Sequence, residues 1–333
     1  MAKIHGISGS TRYLLNGTKP ISGKRLTTFE EVMHFHKNYE KILADTELTV
    51  SKQEDEIIIS LSEEEEKLES RLMEGLSYRT VEVDAHISEI QINAEIADGI
   101  FLKFKYRIQY WIEVSLRNYR INSPFKHIRK NLHNTKSQKN HHIAHKPQVI
   151  KNTCKNITDT QNFLSNNSSF VIGAMGEESV INILAQLPDE YHVLNDVNLS
   201  FPKYIYWRER NEHIKTCQID HIVIGPTGIF LIETKKWKTS EIGIKADDLK
   251  HQIRRASYAL WYYMKGHYFF EKMPRVQSVL VSMHGAQHGQ RIDKYIDIVY
   301  PSRLCTYITS RQPILSEGAI HNLIRLIPCR EVG

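Results

Sequence analysis

Two short apolar runs, Ile222-Val223-Ile224 and Ile229-Phe230-Leu231-Ile232, flank the tetrapeptide Gly225-Pro226-Thr227-Gly228. Runs this short and this rich in β-branched residues suit strands, and the Gly-Pro-x-Gly sequence between them is a strong turn signal. The pattern therefore predicts a hairpin inside a sheet. Asp220 lies near the start of its first strand, and Glu233 and Lys235 near the end of its second. A hairpin sets those ends side by side. Glu233 and Lys235 are two residues apart, so they point to the same face. Two acids and a lysine are thereby gathered at one sheet edge.

Two carboxylates at a strand end suit a hard cation. Mg²⁺ takes oxygen ligands and keeps several waters, so one or two carboxylates and a substrate phosphate suffice. Such a cation stabilises charge on phosphoryl oxygens and lowers the pKa of a bound water. A neighbouring lysine orients that water or offsets developing negative charge. The plainer reading is an acid and a Glu-Lys pair on an exposed strand end.

The surroundings carry more. Gly173-Ala-Met-Gly176-Glu177-Glu178 reads as a turn feeding an amphipathic helix, with Val180, Ile181 and Leu184 on its apolar face. Tyr191–Val197 reads as a strand, and Ser200–Thr216 as a polar, aromatic-rich loop leading into Gln218-Ile219-Asp220-His221. His221 alternates away from Asp220, which places it packed or hydrogen-bonded on the opposite face. In order, Gly-x-x-Gly-Glu, Gln-Ile-Asp-His, the Gly-Pro-x-Gly turn and Ile-Glu-Thr-Lys-Lys-Trp resemble the nuclease-related domain (NERD) family, a branch of the PD-(D/E)XK nuclease superfamily. The resemblance covers roughly residues 170–300.

It implies a restriction-endonuclease-like fold with Asp220 as primary metal ligand and Glu233 as second ligand, its carboxylate also helping to activate water. Glu177 is then a supporting acid near the metal, and Lys235 the catalytic lysine. Gln252, on a helix over His251–Lys265 with Tyr258, looks like the glutamine motif of exonuclease-like branches; it orients the lysine or contacts the backbone near the scissile phosphate. An exposed helix glutamine is its other reading. Lys236, Trp237 and Lys238 line a nucleic-acid groove, since aromatic rings and cations favour that contact, or the tryptophan covers the core. Ile219 stands where the superfamily name has proline.

The N-terminal half has a different character. Residues 1–26, with Gly6, Gly9, Gly17, Pro20 and Gly23, read as irregular. Thr28 ahead of Phe29-Glu30-Glu31 is a capping box that opens a helix. A second helical stretch follows Ser62, with Gly75 and Ser77 as an interruption. Val83, Ile87, Ile90, Ala94, Ala97, Phe101, Phe104, Ile108 and Trp111 recur at spacings of four and three, the seam of one long helix in a coiled coil or helical hairpin. Residues 122–168, polar and carrying Pro124, Pro147, His141, His142 and His145, read as a linker too poor in apolar groups to offset its ordering entropy. The domains expected are thus a helical module over 1–121, a basic polar linker over 122–168 and the nuclease domain over 169–333.

Charge is unevenly spread. Residues 101–150 hold eleven Lys or Arg against Glu113 alone, whereas residues 51–100 hold fourteen acids against four Lys or Arg. That asymmetry points either to a polyanionic partner or to two solvated helix faces. No apolar run is long enough to span a bilayer, and no secretory signal opens the chain. The four cysteines are scattered, which suits reduced thiols in a cytoplasmic protein.

These readings converge on an α/β restriction-endonuclease-like mixed sheet flanked by helices and preceded by a long-helix module. The expected activity is hydrolysis of nucleic-acid phosphodiesters, DNA favoured, with Mg²⁺ or Mn²⁺ as cofactor, in defence against foreign DNA. The expected assembly is a homo-oligomer through the N-terminal helices, without a membrane partner. The alternative is a non-catalytic nucleic-acid-binding or scaffold protein built on a decayed nuclease fold.

Overall fold

The two apolar runs pair as the turn signal predicts. Ile222 lies opposite Leu231, Val223 opposite Phe230 and Gly225 opposite Gly228, closing an antiparallel hairpin on Pro226 and Thr227. Gly225 is dictated by close approach, because a Cβ there would sit 2.2 Å from the Tyr191 ring. Ile314 and Leu315 donate their N–H groups to the Pro226 carbonyl at 2.8 and 3.0 Å and fasten the turn to the rest of the sheet domain.

The computed structural model describes residues 1–235, 239–265, 274–282 and 291–329. In chain order its main elements are β1 (Lys3–His5), α1 (Gly9–Gly17), α2 (Phe29–Lys37), α3 (Tyr39–Ile96), α4 (Ile100–Asn122), α5 (Lys126–Asn166), α6 (Ser168–Leu184), β2 (His192–Trp207), β3 (Glu212–Gly225) and β4 (Gly228–Lys235). α7 (Thr239–Lys265), β5 (Val276–Ser282), β6 (Arg291–Asp293), β7 (Ile296–Val299), α8 (Leu304–Thr309) and α9 (Glu317–Leu326) follow. The chain divides into two units, one of Met1–Tyr39 with Ile157–Gly333 and one of Glu40–Asn156.

The first unit is built on a mixed sheet of order β1-β2-β3-β4-β5-β7-β6. β1 runs parallel to β2, β2–β3–β4 is an antiparallel meander, and β4, β5 and β7 are parallel. Both faces are covered, which explains why β3 and β4 read as continuous apolar runs. Ile222, Ile224, Ile229 and Leu231 pack with Leu249, Ile253, Ala256 and Leu260 of α7 and with Ile320 and Leu323 of α9. Val223, Phe230 and Ile232 face the other way, onto Val180 and Leu184 of α6 and Leu304 and Ile308 of α8. An α/β mixed sheet flanked by helices is the expected fold class.

Several local expectations are corrected. Residues 1–26 are not irregular throughout: Lys3–His5 adds a strand to the sheet edge, and Ser8 caps α1 by accepting from the Thr11 N–H. α6 starts at Ser168 and runs through Gly173 and Gly176. Its glycines are contact points rather than a turn. A Cβ at Gly173 would lie 3.1 Å from Ser10 Oγ, and one at Gly176 would lie 3.4 Å from Thr234 Cγ2. Ser200–Thr216 is largely strand, because β2 continues to Trp207 and β3 begins at Glu212. The Thr28 box caps α2 as predicted; Ser316 caps α9.

The second unit is helical. α3 runs unbroken through Gly75 and Ser77. The long seam instead breaks at residues 97–99, where Gly99 takes φ +101°. Val83 and Ile87 then pack with Ile121, Leu76 and Tyr110, whereas Phe101, at 86% exposure, and Trp111, at 69%, face outward. The segment read as a linker is helix α5 over most of its length. Its inward positions recur at spacings of three and four but are mostly polar, Thr135, Lys139, His142 and Lys146 among them. Their partners are the acids of α3: Lys136 pairs with Glu69 at 2.6 Å, His142 with Glu54 at 2.9 Å, Lys146 with Asp55 at 2.6 Å, and Lys139 with Glu65. The basic and acidic blocks therefore answer each other in part within the chain.

Candidate active site at the strand ends

Asp220 stands one step beyond the last paired position of the hairpin, His221 opposite Ile232. The Thr234 N–H donates to Asp220 Oδ2 at 3.2 Å, which ties the acid of one strand to the backbone between Glu233 and Lys235 on the next. Glu233 is 2% exposed. Its Oε1 accepts from Lys235 Nζ at 2.7 Å and from Gln252 Nε2 of α7 at 2.7 Å. Asp220, Glu233, Lys235 and Gln252 are thus brought to one place from three elements.

Glu177 reaches the same region from α6. Its carboxylate is held by one residue of α1: Ser10 Oγ donates to Oε1 at 2.6 Å and the Ser10 N–H to Oε2 at 3.1 Å. The next pair repeats the contact, with Thr11 Oγ1 donating to Glu178 Oε1 at 2.6 Å. Lys236, Trp237 and Lys238 lie outside the described residues.

Sequence reasoning missed Ser10, Arg12 and Asp196. Asp196 is 3% exposed, takes a left-handed φ of +49°, and falls opposite Asp220 between the pairs Asn195–His221 and Val197–Ile219. Arg12 Nε donates to its Oδ2 at 2.9 Å and Gln218 Nε2 to its Oδ1 at 2.7 Å. The available signal was the polar pair Asn195-Asp196 set between the apolar residues Val193, Leu194 and Val197. His221 is buried, as its alternation predicts. Asn195 Nδ2 donates to the Gly6 carbonyl at 3.1 Å, so its Oδ1 faces His221 Nδ1 at 2.8 Å and accepts from it. That leaves His221 Nε2 a buried acceptor without a partner among the described residues.

The electrostatics are those of crowded acids. Burial, then the Asp220 charge, raises Glu177 above the ordinary carboxylate range, against the Ser10 hydrogen bonds and His221. Burial raises half-buried Asp220 too, with Lys235 and the Thr234 N–H pulling down and Asp196 adding to the rise. Burial and Asp220 push Glu233 up to about 7, against the pull of Lys235. Burial alone would lower Lys235, but Glu233, Asp220 and Glu177 outweigh it and hold the ammonium protonated. Three carboxylates thus share one lysine, and negative charge is in excess.

Hard oxygen donors and surplus negative charge suit a small divalent cation that keeps waters. Among the described residues no three His, Cys, Asp or Glu side chains converge into a ready ligand set, so the donors on offer are individual carboxylates rather than a closed cage.

The family model of the nuclease-related domain matches residues 172–282. This chain carries a nuclease-related domain. The domain belongs to the PD-(D/E)XK-like nuclease superfamily, and the matched stretch contains Glu177, Asp220, Glu233, Lys235 and Gln252 but not Ser10 or Arg12. An uncharacterized protein of Bacillus anthracis is 40% identical over 67 residues, 20% of this chain and 27% of the relative. The alignment thus spans just over a quarter of that relative's length. No solved structure matches the chain.

Proposed function

We propose that the nuclease-related domain hydrolyses phosphodiester bonds of nucleic acid, DNA foremost, with Mg²⁺ or Mn²⁺ bound by Asp220 and Glu233 and supported by Glu177. The observation that carries this reading is geometric: Asp220 and Glu233 stand at neighbouring strand ends, Lys235 Nζ lies 2.7 Å from Glu233 Oε1, and Glu177 is close enough to feel the Asp220 charge. A site holding that much uncompensated charge favours a cation. The bound ion supplies Lewis-acid stabilisation of phosphoryl oxygens and a more acidic water. Lys235, kept protonated, places a compact positive charge beside the scissile phosphate. Gln252, bonded to Glu233 Oε1, fixes that carboxylate's orientation while Lys235 shares it. A protein that only bound nucleic acid would gain nothing from these acids, which repel phosphate unless a cation intervenes.

The test is cleavage of single- and double-stranded DNA, and of RNA, by the full chain with Mg²⁺ or Mn²⁺. Asp220→Ala and Lys235→Ala should each lower cleavage by about 100-fold or more, with DNA binding retained in Lys235→Ala. Equal nicking by wild type and both variants would trace the activity to a contaminant and overturn the assignment.

We also propose that the second unit self-associates through the outward face of α4. Ile100, Phe101, Phe104, Ile108, Trp111 and Ile112 are all exposed, and their spacing sets them on one stripe. A run of large apolar side chains in water is the mark of a surface that meets a partner.

A further inference from the structure

We infer that Ser10 and Arg12 are positioning residues of the active site, acting through Glu177 and Asp196; this rests on the nuclease reading. Both lie more than 150 residues upstream of the stretch that the family model matches, residues 172–282.

α1 meets the acids with its first turn. Ser8 caps it, and Ser10 follows two positions later, where the helix leaves backbone N–H groups without internal acceptors. The Ser10 N–H is spent on Glu177 Oε2, while its hydroxyl takes Oε1. Two donors from one residue, one on each oxygen, fix the plane of the carboxylate as well as its place. Ser8 Oγ donates to Thr11 Oγ1 at 2.8 Å, and Thr11 in turn holds Glu178. One turn of helix therefore orders both acids of the Gly-Glu-Glu sequence.

Arg12 acts on the other side. Its bond to Asp196 Oδ2 and that of Gln218 to Oδ1 leave neither oxygen of that buried acid without a donor. Asp196 falls opposite Asp220 on the adjoining strand and adds to the charge Asp220 feels. The guanidinium offsets that charge and holds the left-handed backbone at Asp196 in place. The seat is tight. A Cβ on Gly9 would lie 2.8 Å from Gln218 Nε2 and 3.0 Å from Asp196 Oδ1, so a side chain there would displace the two groups that meet beside Arg12.

The test uses the full chain and two readouts, Mn²⁺ affinity by calorimetry without DNA, and kcat against KM for DNA cleavage. Ser10→Ala should weaken Mn²⁺ about tenfold or more, the usual size for a partner of a ligating side chain. It should lower kcat with KM little changed, and Ser10→Thr, which keeps the hydroxyl, should restore both. Arg12→Gln and Gly9→Ala should shift Mn²⁺ affinity in the same direction. A residue that merely anchored the N-terminus would lower the melting temperature and leave Mn²⁺ affinity alone. That result beside an active wild type overturns this inference and leaves the nuclease reading standing. A wild type that neither binds Mn²⁺ nor cleaves overturns both.

Discussion

His192 opens β2 with its ring stacked on His5, centroids 5.3 Å apart, and its Nδ1 3.0 Å from His5 Nε2. Burial, with Lys3, His5 and His321 nearby, lowers its pKa to about 4. An unfolded histidine takes up its proton near 6.5. Between those values the unfolded chain binds more protons than the native one, so stability falls as pH drops from about 6.5 to about 4 and is intact above. Melting temperatures measured across that window should slope downward toward acid, and His192→Asn should flatten the slope; an unaltered slope would place the acid sensitivity elsewhere. At this scale the candidate site was half legible. Asp220, Glu233 and Lys235 could be read because a tight hairpin and a spacing of two fix their neighbourhood locally. Ser10 and Asp196 could not, because Ser10 meets Glu177 across 167 positions and no periodicity reports such a meeting.

Among the elements, α5 shows why composition misleads. It has few apolar residues, and Pro147 sits inside it. A proline there withholds the N–H that would bond the carbonyl of Ile143 and crowds the preceding turn. The helix persists because α3 supplies acids to Lys136, Lys139, His142 and Lys146. Exposed pairs of this kind contribute only a few tenths of a kcal/mol to about 1 kcal/mol each, so the helix is sustained by many weak contacts. Pro147→Ala should therefore stabilise the helical unit by about 1–3 kcal/mol, read as slower amide exchange around residues 143–147. Unchanged or faster exchange would mean that the proline bend is needed for α5 to reach its partners. The α2 cap and the β3–β4 hairpin were legible because their signals are local. The break at Gly99 was not, since the seam of threes and fours continues straight across it.

At the scale of the whole chain, the same seam changes meaning at residues 97–99: Val83 and Ile87 are core, Phe101 and Trp111 are surface. Replacing both Phe101 and Trp111 with Ser should lower the mass seen by light scattering without loss of helix content. A mass equal to wild type would remove α4 from the assembly surface. The mixed sheet was legible from its apolar runs, but the boundary between units was not. Residues 1–39 belong with the sheet although 117 residues, 40–156, intervene before it resumes. Nothing in the composition of the first 39 residues marks them as part of a distant fold. That arrangement has a consequence for synthesis. The helix bearing Ser10 leaves the ribosome ahead of its carboxylate partner, which emerges 167 residues later, roughly ten to thirty seconds at bacterial to eukaryotic elongation rates. Asp220 and Glu233 follow later still. A nascent chain halted before them lacks both acids of the strand ends, so the candidate site can close only after the whole helical unit of residues 40–156 has been made.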